Sequence, residues 1–320
     1  MIQMKYMRMF THNDLDGVAC GILGSLAADE SDRYFEVEYC AVGNINRAVS
    51  GWLDQTKLDP RTDYVLLITD ISVDVPTAKR LDSIAKRNKN VRIQVLDHHE
   101  PEAALLRMDW VKVETSTDYC GTNLLYHWLT ENGLIQEDPA LNQFAEDVCL
   151  YDTWRFEQED DDETSNAERL NTAMHLMGRE AFFDFATEWF SKDEKAPLII
   201  EDIPEVNRFV EKDLDNCWNY CVSREKGLQT MEYKGMTIGY VFAEQYVSKL
   251  AHFILEDNPD IDIAAIITMP GVVSLRAVRE DINLGTGLAK AMGGGGHAHA
   301  ATYHLKQIPE EIVRKMLKFD

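Results

Sequence analysis

Two groups of residues in this chain have side chains suited to chemistry. The first is His12-Asn13-Asp14-Leu15-Asp16-Gly17, Asp70, Asp97-His98-His99 and Asp152. Hard carboxylate oxygens mixed with imidazoles suit Mn²⁺ or a similar divalent ion better than a thiolate-rich zinc site would. So many carboxylates point to two ions with one Asp bridging them, at the ~3.5–4 Å separation of two-metal phosphoryl-transfer sites. The second group is Gly293-Gly294-Gly295-Gly296-His297-Ala298-His299-Ala300-Ala301, with Ser274-Leu275-Arg276 upstream. Glycine admits close approach by a ligand. Successive backbone N–H groups can then form an anion-binding nest, with Arg276 as a forked phosphate partner. Taken singly, each piece reads as ordinary structure: Asp70 as a turn former or helix cap, the glycines as a turn joining helix to strand. The combination, in this order, is what points to a site.

To meet in space, these residues must leave neighbouring strands. Residues 6–11 read as a strand and 18–28 as a helix, 35–41 as a strand and 45–55 as a helix. Residues 64–69 form a buried strand, 75–87 a helix and 91–96 a further strand. This alternation implies parallel pairing, right-handed crossovers and helices on both faces: an α/β fold with a doubly wound, mainly parallel sheet. Segments leaving the carboxyl ends of such strands converge on one crevice, which would gather residues 12–16, 70 and 97–99. From Gly121 to about Tyr151 the pattern is helical, and Asp152 ends it. Helical material continues to about Glu225, and the rhythm then changes. Residues 236–242, 261–268 and 272–277 read as strands, 246–255 and 284–292 as helices. The expected division is a catalytic domain at 1–185, a helical connector at 186–227 and a smaller α/β domain at 228–320, with the active site in the cleft between domains.

Composition narrows the class. The chain has 320 residues, 45% hydrophobic and 27% charged, enough for two domains with ordinary cores and not a disordered protein. No apolar run reaches the ~20 residues of a membrane helix, and the first residues lack the apolar core of a secretion signal. Six scattered cysteines without a Cys-x-x-Cys pattern read as reduced thiols in a cytoplasmic protein. The net charge is −23; residues 226–320 hold ten Lys/Arg against eleven Asp/Glu, so residues 1–225 carry −22. Such a field repels a long nucleic acid unless a basic groove or bound cations offset it. Long DNA and membranes are therefore not expected partners, whereas a small anionic substrate held through metal ions is.

Together these motifs resemble the DHH phosphoesterase superfamily with its DHH-associated C-terminal domain. Residues 12–17 are similar to the family's first motif, Asp70 to its second, Asp97-His98-His99 to its third and Asp152 to its fourth. The glycine-rich run from Gly294 to Ala301 is similar to the C-terminal signature. The Asn-Asp-Leu-Asp-Gly loop and Tyr151-Asp152-Thr153-Trp154 look most like the nanoRNase branch, which degrades very short oligoribonucleotides. The resemblance implies that His12 and Asp14 hold one metal, that Asp16, His98 and Asp152 hold the other, and that Asp70 bridges them. It implies two divalent cations, Mn²⁺ foremost, with Mg²⁺ or Co²⁺ as substitutes. Asp97 would orient a histidine, and His99 would bind the scissile phosphate or assist the leaving oxygen. Arg276, Gly294, Gly295, Gly296 and His297 would grip another phosphate or the nucleotide end, with Lys249, Arg279 and His299 as candidate extra contacts. One departure is that the signature commonly ends Ala-Ala-Gly, whereas this chain has Ala300-Ala301-Thr302, which bears on the following turn.

The activity so implied is an Mn²⁺-dependent phosphodiesterase that hydrolyses short oligoribonucleotides or linear dinucleotides to nucleoside monophosphates. Related members of the family also act on 3′-phosphoadenosine-5′-phosphate or on cyclic (di)nucleotides, and those substrates stay open. So does a nucleotide-sensing module without chemistry, although such a module should lack metal-binding positions that are all present here. Related proteins often pair, which makes a homodimer one arrangement open to the chain.

Overall fold

Short apolar, β-branched runs separated by amphipathic stretches give the first half of the chain its sheet. The computed structural model describes residues 4–116, 118–158, 165–192, 195–269, 271–279, 281–296 and 298–305. Strands β1 (Lys5–Thr11), β2 (Tyr34–Tyr39), β3 (Asp63–Thr69), β4 (Val91–Asp97) and β5 (Val111–Val113) alternate with helices α1 (Leu15–Glu30), α2 (Ile45–Gln55) and α3 (Val75–Arg87). The strands pair in the order β2-β1-β3-β4-β5, every pair parallel. That order reverses direction between β1 and β3, the place where ligands bind doubly wound sheets. Five further helices follow: α4 (Gly121–Glu131), α5 (Pro139–Asp152), α6 (Asn166–Met177), α7 (Arg179–Phe190) and α8 (Pro204–Glu225).

Side-chain alternation along the strands supplies both faces. On one, Phe10, Leu66, Ile68 and Val95 pack against Ile45 and Val49 of α2 and Ala78 and Leu81 of α3. On the other lies α1, buried around nearly its whole circumference from Leu15 to Ala28 because α4, α5 and α7 pack against it. Each fully buried aliphatic or aromatic side chain contributes about 1.5–3 kcal/mol, so the sheet is a rigid frame for residues at its edge.

The chain divides into two compact units, Met1–Glu211 and Lys212–Asp320, the division falling within α8. The second unit has strands β6 (Gln229–Tyr233), β7 (Met236–Phe242), β8 (Ile263–Thr268), β9 (Val272–Ala277), β10 (Gly295–Gly296) and β11 (Ala300–His304), with helix α9 (Val247–Asp257). They form one mixed sheet ordered β10-β11-β9-β8-β7-β6, in which only β7 and β8 run parallel. Cys217 and Cys221, four apart on α8, share a buried face with Leu250, Ile254 and Ile266. All six cysteines are buried. Among the described residues no helix is long and apolar enough to cross a membrane.

Three local readings change. The expected helix at 284–292 is only a short π-helical stretch, Gly285–Ala289; two glycines at 285 and 287 weaken any longer helix. The tetraglycine run is not a plain turn, because Gly295 and Gly296 pair antiparallel with Thr302 and Ala301. β11 then continues past Thr302 to His304, so the expected turn after Ala301 is replaced by strand.

Candidate metal centre and glycine-rich strand

Each candidate ligand of the first unit leaves the carboxyl end of a strand or helix. His12 and Asp14 follow β1, and Asp14 is the N-cap of α1, where its Oδ1 accepts from Gly17 N at 3.1 Å. Glycine is required at position 17: an added Cβ would stand 2.1 Å from the carbonyl oxygen of His12. Asp70 follows β3 in the left-handed region, φ 56°, which costs a non-glycine residue about 1–2 kcal/mol and which Asp and Asn tolerate better than most. Asp97 ends β4, His98 and His99 follow it, and Asp152 is the last residue of α5.

These positions meet. Three overlapping groups have ligand atoms within 4.8 Å of one another: His12, Asp14 and Asp70; Asp16, His98 and Asp152; and Asp70, His98 and His99. Asp70 links the groups because its two oxygens look different ways. Oδ2 lies 3.8 Å from His12 Nδ1, and Oδ1 lies 3.3 Å from His98 Nε2. His98 Nε2 is also 3.3 Å from Asp152 Oδ2 and 3.9 Å from Asp16 Oδ2. Asp16, Asp70, Asp97 and His98 are buried.

The electrostatics ask for a cation. Both oxygens of Asp70 and Oδ2 of Asp152 are buried with no hydrogen-bond partner among the described residues, a costly state for an ionised group. Burial pushes both carboxyls well above their ordinary range, and the charges of Asp16 and Asp14 push them further. Oxygen and imidazole donors around unpartnered carboxylates fit a hard divalent ion.

Asp97 is different: it is held by donors, not left bare. Its Oδ1 accepts from the backbone N–H groups of His98 and His99 at 2.9 and 3.2 Å and pairs with His99 Nδ1 at 2.8 Å; its Oδ2 accepts from the Ser72 hydroxyl. Burial raises its carboxyl, but the His99 bond and charge outweigh this and hold it at about 2. Reciprocally, burial lowers the His99 imidazolium while Asp97 outweighs it, and the net shift is upward. Asp97 thus fixes the His99 ring with Nδ1 inward, the arrangement by which a carboxylate orients an imidazole.

The sequence reading missed the groups that hold Asp16. The first backbone N–H groups of α4, on Gly121 and Thr122, donate to Asp16 Oδ2 and Oδ1 at 2.6 and 2.7 Å, and Thr122 Oγ1 donates to the Asp16 carbonyl at 2.8 Å. A helix N-terminus is a ready donor set for a carboxylate. Ser72 was also missed. Neither carries a local pattern; they are found only once residues 16 and 121, or 72 and 97, are known to be neighbours.

In the second unit, Arg276 on β9 stands across from Ala300 of β11, whose next residue, Ala301, pairs with Gly296. Its guanidinium donates to Ser248 Oγ at 2.7 Å and to the Leu275 carbonyl at 2.9 Å. Gly294 and Gly296 must lack a Cβ, which would stand 2.1 Å from Thr302 O and 2.4 Å from Ala300 O; Gly296 also has φ 139°. Gly295 is exposed with open space beside it. His297 lies outside the described residues. Arg279 holds Asp262 and Asp281 at 2.7 and 2.6 Å.

A metal test follows from the raised carboxyls. Asp70 and Asp152 have folded values above the ordinary 3.8. Their contribution to stability is complete below 3.8 and is lost as pH rises through the raised values. Asp97, held at about 2, works oppositely, but only as pH falls below 3.8. Between pH 5 and pH 8, His98, whose imidazolium burial lowers, gains stability as pH rises while the raised His99 loses it. With both carboxyls and His99 acting together, chelated protein is expected to melt at falling temperatures from pH 5 to pH 8. Added Mn²⁺ should raise the melting temperature most at pH 8 and release protons on binding. A metal-induced shift that is absent, or larger at pH 5, contradicts this electrostatic account.

No protein-family model matches the chain. Oligoribonuclease NrnB of Bacillus subtilis (strain 168) is 32% identical over 305 residues, which cover 92% of this chain and 71% of that protein. The 3′,5′-cyclic-nucleotide phosphodiesterase of Helicobacter pylori (strain ATCC 700392 / 26695) is 23% identical, with 98% of each chain covered. Among solved structures, RecJ of Thermus thermophilus in complex with Mn²⁺ has a TM-score of 0.60 at 13% identity, covering 99% of this chain and 51% of that one. This last likeness concerns the fold. With the ordered motifs gathered at one sheet edge and a likeness to an oligoribonuclease across 92% of its length, the chain belongs to the DHH phosphoesterase superfamily, in its nanoRNase branch.

Proposed function

We propose that the protein is an Mn²⁺-dependent phosphodiesterase that hydrolyses short oligoribonucleotides or linear dinucleotides to nucleoside monophosphates. The observation that carries the reading is the linkage of the metal-capable groups through Asp70, whose two oxygens face different histidines. His12 and Asp14 would hold one cation, Asp16, His98 and Asp152 a second, and Asp70 both. Such ions supply a water of lowered pKa and neutralise charge on the phosphorus oxygens.

The chain's own residues do the rest. Asp97 keeps the His99 ring in one orientation and sustains its positive charge. With Nδ1 turned to Asp97, Nε2 is the nitrogen that can donate to a phosphate oxygen or hand a proton to the leaving oxygen as the P–O bond breaks. Arg276, Gly294, Gly295, Gly296 and His297 bind another phosphate or the nucleotide end. Hydrolysis adds one water across one phosphodiester and releases one monophosphate at a time.

The test is a substrate panel with purified protein and Mn²⁺: RNA of two to five nucleotides, a twenty-mer, pGpG, 3′-phosphoadenosine-5′-phosphate and 3′,5′-cyclic nucleotides. Short linear RNA is expected to be cut at least about tenfold faster than the twenty-mer, a difference of ~1.4 kcal/mol. Equal or faster cleavage of the twenty-mer removes the length preference. The likeness to the Helicobacter pylori enzyme supports a second reading, and preferential hydrolysis of cyclic nucleotides would establish it instead.

A further inference from the structure

Most partly buried arginines of the first unit have an acid to hold. Arg8 pairs with Glu36 and Glu38, Arg33 with Asp63, Arg80 with Asp54, Arg155 with Asp118 and Arg169 with Glu211, all within 4.0 Å. Arg179 is the exception. It is half-buried at the start of α7 and has no carboxylate within that distance among the described residues; its Nε, like those of Arg8 and Arg33, is buried with no hydrogen-bond partner among them. In a chain with 55 acidic residues against 32 basic ones, an unpaired guanidinium out of full solvent marks a place where an anion is missing.

Its position is set by Tyr39. The guanidinium carbon sits over the Tyr39 ring, 4.5 Å from its centre, a cation–π contact that holds the group against the ring face. Tyr39 is the last residue of β2 and is in register with Thr11, the last residue of β1. The next residue after Thr11 is His12, so the Tyr39 backbone stands at the carboxyl edge of the sheet, on the β2 side of the metal centre. Gly21 of α1 makes room for it: a Cβ there would lie 2.4 Å from the Tyr39 hydroxyl.

We infer that Arg179 binds a phosphate of the substrate chain other than the one being cleaved, with Tyr39 as its positioning residue. A planar fork is the side-chain geometry that matches a phosphate, and the tyrosine it faces ends the strand beside β1, which leads directly into His12. The inference rests on the phosphodiesterase reading above.

The experiment compares a 5′-phosphorylated RNA dinucleotide, which has a second phosphate, with bis(p-nitrophenyl) phosphate, which has only the one cleaved. For R179Q the ratio of kcat/KM on the dinucleotide to that on the small diester is expected to fall about tenfold, or ~1.4 kcal/mol, with the loss in KM. R179K, which keeps the charge without the fork or the stack, should fall by less. Tyr39→Leu, which removes only the stack, should also lower the ratio. Raising salt should weaken dinucleotide binding less steeply in R179Q than in the wild type, by about 0.7 in the logarithmic slope for one lost phosphate contact. An unchanged ratio in both R179Q and R179K, or a loss confined to kcat on both substrates, overturns the inference. If R179Q does not fold, R179K and the wild-type salt slope decide: an unchanged ratio with no salt dependence overturns it. Failure of the wild type to hydrolyse either diester with Mn²⁺ instead removes the phosphodiesterase reading.

Discussion

Asp70→Asn lowers turnover of a phosphodiester by about 10³-fold or more while raising the melting temperature of the chelated protein. The first effect follows from position: Asp70 is the carboxylate that links the metal-capable groups. Losing its charge removes several kcal/mol of cation-mediated stabilisation, at 1.36 kcal/mol for each factor of ten. The second follows from what the Asp70 carboxylate does without a cation. Its buried carboxylate faces Asp16, Asp14 and Asp152, all of which push its pKa up. Unit charges at about 5 Å repel by about 3 kcal/mol at an effective dielectric of 20, and an amide of the same size relieves that repulsion. Each kcal/mol so relieved is worth about 2–4 °C in a unit of this size. Asn also tolerates the left-handed backbone at φ 56°, so the variant changes charge with little backbone cost. Asp70→Ala should lose as much activity, but strain offsets its gain in melting temperature. Rates on bis(p-nitrophenyl) phosphate and melting curves with and without chelator check both. Activity of Asp70→Asn within tenfold of wild type would place the chemistry elsewhere.

That opposition between stability and activity also explains what the sequence could reveal. The fold-determining half of the site was legible because it obeys local rules. Strand, turn and helix alternate with clear periodicity through β4, and the helices at 45–55 and 75–87 have the bounds expected of them. Parallel order then forces residues 12–16, 70 and 97–99 to one edge. The short strand β5 and the pairing of β6, β10 and β11 left no such trace. Val111–Val113 is three residues long, Gln229–Tyr233 is exposed at every position, and Gly295–Gly296 has no side chains to alternate. These strands exist because a neighbour offers a hydrogen-bonding edge, which is a property of the folded sheet. The left-handed backbone at Asp70 and the amides that hold Asp16 were hidden for the same reason.

Gly121→Ala carries that lesson to an experiment, because local and tertiary rules predict opposite outcomes. At the first position of α4, a helical glycine replaced by alanine would ordinarily stabilise by up to about 1 kcal/mol. Here the added Cβ would stand 2.5 Å from the Asp70 Cβ, 2.9 Å from its Cα and 2.9 Å from Asp16 Oδ2. None of these can yield cheaply: the first two are fixed by the strained backbone of Asp70, and the third belongs to a carboxylate whose Oδ2 and Oδ1 each accept an amide N–H, from Gly121 and Thr122. Relieving the contact must move α4 away from Asp16 or shift Asp70, and displacement of about 1 Å at a reacting centre can cost about 10²-fold. The expected result is a loss of that order in kcat/KM and a weaker Mn²⁺-induced rise in melting temperature, with overpacking destabilising the fold by about 1–3 kcal/mol. Gly51→Ala in α2, where an added Cβ meets nothing within 4 Å, is the matched control and should be neutral or slightly stabilising. Wild-type metal response and turnover in Gly121→Ala would mean that α4 does not hold the acidic cluster in place. The loss, with none of the clustered carboxylates or histidines substituted, would show that the site depends on the close approach of two helices to one strand end as much as on the carboxylates themselves.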